Sequence, residues 1–220
     1  MIKYRPIVSC LASVLLAAAT TEPVFSQDKS ADKKGEPTAG RPNESEMMAK
    51  MMELAKPAEH HKVLQNTVGT WTYKVKMWMS PDPTAPPSES TGRTVTHAIM
   101  GGRYFVSDHT GKMQMPGADG KMTDVEFKGM AIEGYDNAKQ KYVATWVDNM
   151  GTGIMLLEGT YDDASKTLTY LTDYEPMPGM KTKAREVIKE IDSNHRMFEW
   201  FENRGGKETK TMEISYVRKS

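Results

Sequence analysis

The chain has 220 residues, with 29 Lys and Arg against 29 Asp and Glu. A formal net charge of zero argues against a dedicated nucleic-acid binder, which needs a basic excess, and against an acidic, solvating disordered chain. One Cys excludes a disulfide framework, and the length suits one domain with a tail.

Residues 1–26 read as a secretory signal peptide, with Lys3 and Arg5 as the positive region, Ile7–Thr20 as the apolar stretch and Val24-Phe25-Ser26 before the cut. Thr20, Thr21 and Glu22 interrupt the apolar run short of a membrane span. Ile7-Val8-Ser9-Cys10 resembles a lipobox, but the apolar run from Leu11 to Ala19 follows the Cys instead of preceding it. Cleavage removes Lys3, Arg5, Glu22 and the lone Cys10, leaving a thiol-free chain of charge −1 in the periplasm or outside the cell. No later segment is long and apolar enough to cross a membrane. Residues 27–45 are rich in Gly, Pro, Ser, Asp and Lys and are expected to be a disordered linker.

Residues 46–66 are expected to form a helical cap. Met47, Met48, Met51, Met52 and Leu54 repeat at helical spacing, with Ser45 as N-cap and Pro57 as stop, and a second short helix follows over 58–67. The period then changes from 3.6 to 2, and Trp71, Tyr73, Val75, Met77 and Met79 share one face of the first strand. Nine more strands are predicted, over 92–100, 103–109, 124–135, 141–148, 152–159, 167–174, 181–191, 195–203 and 208–219. No crossover helix interrupts them, so the sheet is antiparallel, and closure removes its two edges. The prediction is a mainly β fold, a single up-and-down antiparallel barrel over residues 67–220.

Several stretches together resemble a bacterial family catalogued only as a domain of unknown function, number 1579. They are His60…Leu64…Gly69-Thr70-Trp71, Gly101-Gly102-Arg103-Tyr104, Gly129…Gly134-Tyr135-Asp136-Asn137, Thr145-Trp146-Val147-Asp148, Gly159-Thr160-Tyr161-Asp162 and Gly206-Lys207-Glu208…Met212-Glu213-Ile214-Ser215-Tyr216. The resemblance implies a calycin-type barrel, the class of lipocalins, fatty-acid-binding proteins and nitrobindins, and implies no reaction. Gly69-Thr70-Trp71 matches the lipocalin-like Gly-X-Trp of the first strand. Gly69, Trp71, Gly101, Gly102, Arg103, Gly134 and Asp136 are therefore expected to be structural, with Trp71 plugging the closed end against Arg103 or Arg185.

Three readings of function remain open. In the first, the barrel holds a small apolar or amphipathic ligand, lined by Tyr73, Met77, Trp146, Met155, Leu157 and Phe198 and oriented by Arg185 or Asp148. In the second, the barrel is an enzyme with a carboxylate or His base, for example Asp148 with Glu158, although no catalytic, phosphate or dinucleotide motif and no cofactor signature is present. In the third, the interior is filled and the surface or the Met-rich helix acts. His195 is a haem-ligand candidate, set against ordinary turn chemistry in Asp192-Ser193-Asn194-His195. Thioethers of pairs such as Met77 with Met79, Met113 with Met115 and Met177 with Met180 suit Cu(I), set against packing. Glu59-His60-His61 is no zinc motif, and His60 is expected to cap or anchor the first strand. N-terminal mass analysis of the exported protein should find Gln27 first; a lipidated Cys10 or a retained Met1 contradicts the signal assignment.

Overall fold

The computed structural model describes residues 43–80, 82, 84–117 and 121–219. The expected signal peptide and residues 27–42 of the expected linker lie outside the described residues.

Helix α1 (Glu44–Leu54) starts earlier than expected, because Asn43 and not Ser45 is its N-cap. The Asn43 side chain accepts the Glu46 N–H at 2.9 Å, and the Glu46 carboxylate accepts the Asn43 N–H at 3.2 Å, a reciprocal capping box. This helix buries none of its residues, and Met47, Met48, Met51 and Met52 stay exposed. Its C-terminal end meets the barrel, where the Leu54 carbonyl accepts the Asn137 amide at 2.8 Å. Helix α2 (Glu59–Gln65) packs on the barrel through buried His61 and Leu64. The anchor is His61 and not His60: His61 Nδ1 accepts the Ala58 N–H at 3.0 Å, while His60 stays exposed and stacks on Tyr135.

The ten strands are β1 (Gly69–Met77), β2 (Ser88–Ile99), β3 (Tyr104–Pro116), β4 (Met122–Asp136), β5 (Lys141–Asp148), β6 (Met155–Asp162), β7 (Thr167–Tyr174), β8 (Thr182–Glu190), β9 (His195–Arg204) and β10 (Lys207–Arg218). Each pairs antiparallel with its sequence neighbours, and β1 pairs with β10 to close the barrel. Two departures from the predicted strands stand out. The β3–β4 hairpin extends through much of the stretch read as a loop, pairing to Pro116↔Met122. Strand β6 starts at Met155, three residues late, because Thr152, Gly153 and Ile154 are not laddered.

Period-2 alternation sends one row of each strand inward. On β1 the inward row is Trp71, Tyr73, Val75 and Met77, while Lys74 faces out and pairs with Glu89 at 2.8 Å. Met79 lies beyond the strand and is exposed. Gly101 and Gly102, both at positive φ, turn β2 into β3. Arg103 donates from Nε to the Ala55 carbonyl and from Nη1 to the Met100 carbonyl, both at 2.9 Å. The Asp136 carboxylate accepts the N–H groups of Ala138 and Lys139, fixing the β4–β5 turn, and the Tyr104 ring lies over Gly134.

The end under α2 is sealed by Trp71. Its Nε1 donates to the Thr67 carbonyl at 2.8 Å, and its ring lies between two guanidiniums, Arg196 at 3.9 Å and Arg218 at 4.1 Å. The expected partners, Arg103 and Arg185, are elsewhere: Arg103 holds the β2–β3 turn, and Arg185 stands on the outward row of β8. Arg218 donates to the carbonyls of Asn66, Val68 and Ser193, which ties the chain ahead of β1 and the β8–β9 turn to β10. Gly69 is required beside it: its φ is +130°, and an added Cβ would meet Arg218 Nη1 at 2.7 Å. Arg218→Ala removes this stack and these hydrogen bonds and should cost about 2–3 kcal/mol in urea unfolding. An unchanged midpoint contradicts the role given to the seal.

Candidate functional site in the barrel lumen

The inward rows build a wall of mixed chemistry. Its apolar part includes Val75, Trp146, Met155, Phe198 and Ile214, all half-buried, with Leu157 and Trp200 buried. Two aromatic rings lie flat on this wall because glycines face them. A Cβ at Gly129 would meet the Trp146 ring at 2.5 Å, and one at Gly159 would meet Tyr170 at 2.6 Å. Trp146 is held further by its Nε1, which donates to Asp148 Oδ2 at 2.8 Å, and by stacking with Phe127.

Set into the wall is a polar cluster. Glu133 on β4, Glu186 on β8, Arg196 on β9 and His109 on β3 all point inward, with Thr94, Thr96 and Ser107 beside the histidine on β2 and β3. His109 Nδ1 shares a hydrogen bond with Thr94 Oγ1 at 2.8 Å, and the ring meets the Trp146 edge. Burial, reinforced by the Arg196 charge, holds this imidazole down to about 4, so it is neutral at pH 7. Burial raises Glu133, opposed by the Arg196 charge and by the Tyr170 hydroxyl, which donates to it at 3.3 Å. Burial and then the Glu133 charge push Glu186 up to about 8.

The inward carboxylates differ in how they are satisfied. Glu202 accepts from the Tyr174 hydroxyl at 2.6 Å and from Trp200 Nε1 at 3.0 Å, with Arg204 at 3.5 Å. Asp148 accepts from Trp146 and from the Met150 N–H, and Glu133 accepts from Tyr170. The Glu186 carboxyl has no hydrogen-bond partner among the described residues and keeps accessible surface within the barrel. Arg196 Nε is also buried without an acceptor among the described residues. At the sealed end a cavity of about 30 Å³ is lined by residues including Glu133, Leu168, Ile188, Glu190 and Arg196, room for one or two waters. An open depression of about 400 Å³ follows β2–β4, bordered by Gly92, Arg93, Gly111, Lys112 and Phe127 among others.

The structure brings Tyr73, Met77, Trp146, Asp148, Met155, Leu157 and Phe198 to the inward rows. Tyr73 lies across Gly92 and Gly111 and donates to the Thr110 carbonyl at 3.0 Å. Arg185 does not join them. It faces outward, over the Phe201 ring at 4.2 Å and paired with Glu208 at 2.7 Å. Glu158 is also outside, held by Lys139 at 2.8 Å, so it forms no pair with Asp148. His195 is exposed beside Asp192 and does not face the lumen; the interior histidine is His109. Met177 and Met180 are exposed in the β7–β8 loop, whereas Met113 and Met115 are half-buried on β3.

The sequence reading missed Glu133, Glu186 and Arg196 as lumen groups. The signal was present as ionisable residues on apolar rows: Glu186 between Ala184 and Ile188, Glu133 between Ala131 and Tyr135, and Arg196 ahead of Phe198 and Trp200.

An acid held above its unfolded value destabilises a fold as pH rises through that interval, and a histidine held below its unfolded value does so as pH falls. His109 therefore acts below 6.5, and Glu186 acts from 4.5 to about 8. Between pH 6.5 and 8 Glu186 acts alone of the two. Glu186 should contribute a drop of about 2 kcal/mol in unfolding free energy from pH 6.5 to 9, on top of the drop of the same sign from raised Glu133, and Glu186→Gln should reduce the total by about that amount. An equal drop in the variant contradicts the placement of this carboxyl.

The profile of the family described as "Protein of unknown function (DUF1579)" matches residues 56–218. No curated protein sequence matches the chain. Among solved structures, Rv2717c from M. tuberculosis superposes with a TM-score of 0.51 at 13% identity, covering 75% of this chain and 100% of that one. The S-type phycobiliprotein lyase CPES from Guillardia theta gives 0.47 at 11% identity, covering 77% and 97%. At these identities the likeness to Rv2717c is one of fold alone. The family profile spans the capping helix α2 and all ten barrel strands, and the chain belongs to the DUF1579 family of proteins of unknown function.

Proposed function

We propose that this protein is an exported carrier that holds a small amphipathic molecule in its barrel lumen. The observation that supports this most strongly is Glu186, an inward carboxyl enclosed by the wall and left without a hydrogen-bond partner among the described residues. Such a group costs stability, and interior polar groups kept for structure alone are paired. Glu202 and Asp148 on the same lumen show what paired acids look like here. The half-buried apolar side chains around the cluster supply the complementary surface for an apolar tail, and Met77 and Met155 add adaptable thioethers at the end opposite α2. Export rests on the signal-like residues 1–26.

A second reading uses the same pair. Two interacting carboxyls with raised proton affinity, Glu133 and Glu186, are suited to general acid–base catalysis on a molecule bound beside them. This replaces the Asp148–Glu158 pair expected from the sequence.

The purified chain should take up a neutral alkyl fluorophore saturably, with quenching of tryptophan emission. Ala144→Trp places a bulky ring on the inward row of β5 and should abolish uptake while circular dichroism is unchanged. Trp146→Ala should weaken uptake and leave the barrel folded. Absence of saturable uptake by the wild type contradicts the carrier reading.

A further inference from the structure

Resting on the carrier reading, the balance of charge inside the lumen identifies the polar end of the ligand. Around the inward cation Arg196 lie Glu133 and Glu190, and Glu186 lies beside Glu133. Arg196 makes no ion pair within hydrogen-bond distance among the described residues, and its orphaned Nε is buried out of reach of the lumen. Its guanidinium lies on Trp71 at 3.9 Å and near Tyr216 at 5.4 Å, and Glu133 and Glu190 oppose its charge. Arg218, on the other face of Trp71, is directed to backbone carbonyls. The Arg196 charge is felt by Glu133 and Glu190 and not by Glu186, which faces the lumen with no counter-ion and no donor among the described residues. An anionic head group would enter beside two acids and find the arginine stacked and opposed. A head group that is both positive and a hydrogen-bond donor supplies what Glu186 lacks, and the half-buried Tyr216 ring lies near the same carboxyl.

We propose that the lumen selects amphipathic molecules bearing a protonated amine, and that Glu186 is the group that receives the ammonium. The ammonium ion-pairs with the Glu186 carboxylate, and Glu133 stays under the Arg196 charge. Titratable groups facing Glu186 from the neighbouring elements are Glu133 on β4, Tyr170 on β7 and Tyr216 on β10, with Arg196 on β9 and His109 on β3 coupled at one remove. Both tyrosines are held protonated by burial and His109 is neutral above about pH 5, so the charge change near pH 8 falls on the Glu133–Glu186 pair, with Glu186 at about 8 and Glu133 raised by burial. Entry of the ammonium below that pH displaces a proton from Glu186, and affinity for it rises with pH until Glu186 is ionised.

The test is displacement of the neutral alkyl fluorophore by dodecylammonium, dodecanol and dodecanoate, each below its micelle concentration, at pH 6, 7, 8 and 9. Dodecylammonium should bind at least tenfold tighter than dodecanol at pH 8, and dodecanoate should bind weakest. Ammonium affinity should rise by up to tenfold per pH unit to about pH 8 and then level. Glu186→Gln, which removes an enclosed charge and should fold, should bring ammonium and alcohol within about threefold and flatten the pH dependence. Tightest binding of dodecanoate, or an ammonium preference untouched by Glu186→Gln, overturns the inference and leaves the carrier reading standing. Failure of the neutral fluorophore itself to bind removes the carrier reading, and this inference with it.

Discussion

Arg196 touches both halves of this molecule, the sealed end and the polar lumen. Its guanidinium lies on the Trp71 ring, whose other face carries Arg218, and so it belongs to the stack that closes the barrel under α2. Its charge also faces Glu133 and Glu190, and so it belongs to the polar cluster of the interior. An isolated guanidinium in such a place is costly, and here an indole face, a phenol ring and two carboxyls offset that cost. The seal and the cluster are therefore one construction.

That construction explains why the lumen tolerates acids at all. Glu133 is steadied by Arg196 and by the Tyr170 hydroxyl, and near the other end Glu202 is satisfied by Tyr174 and Trp200. Each is a polar group held for the stability of the wall. Glu186 stands opposite Tyr170 and Trp200 in register, yet receives no hydrogen bond among the described residues. A barrel that needed only to be filled could place an apolar residue there, as it does at Ala184 and Ile188 on the same row. The Glu190 carboxyl on the same row also lacks a hydrogen-bond partner among the described residues but faces the Arg196 charge, whereas Glu186 does not, and such departures from local consistency concentrate where a protein meets its ligand.

The architecture was legible in the sequence because alternation and turn chemistry agree along almost the whole chain. Lys141–Asp148 and Thr167–Tyr174 are strands with the predicted limits, and Gly69-Thr70-Trp71 opens the first strand. Limits failed where local signals are ambiguous. The stretch 110–121 carries turn residues at Gly111, Pro116 and Gly117, yet most of it is laddered into the β3–β4 hairpin. Asn43 outcompetes Ser45 as a cap because Glu46 lies three residues beyond it and closes the capping box. The site was legible only in part. Trp146 and Phe198 sit on inward rows as alternation demands, but alternation also placed Arg185 outside, one residue from the group that matters. The guanidinium on Trp71 comes from Arg196 and Arg218, more than a hundred residues away in sequence, and only barrel closure brings them there.

The central claim is that Glu186 is a lumen carboxyl waiting for a positive partner. Carbon-13 NMR of its side-chain carboxyl, assigned by comparison with Glu186→Gln, reads that state directly across a pH titration. The midpoint should lie near 8 in the free protein and move down when dodecylammonium is present. A midpoint near the ordinary 4.5 of a solvated glutamate, unmoved by the amine, would contradict it.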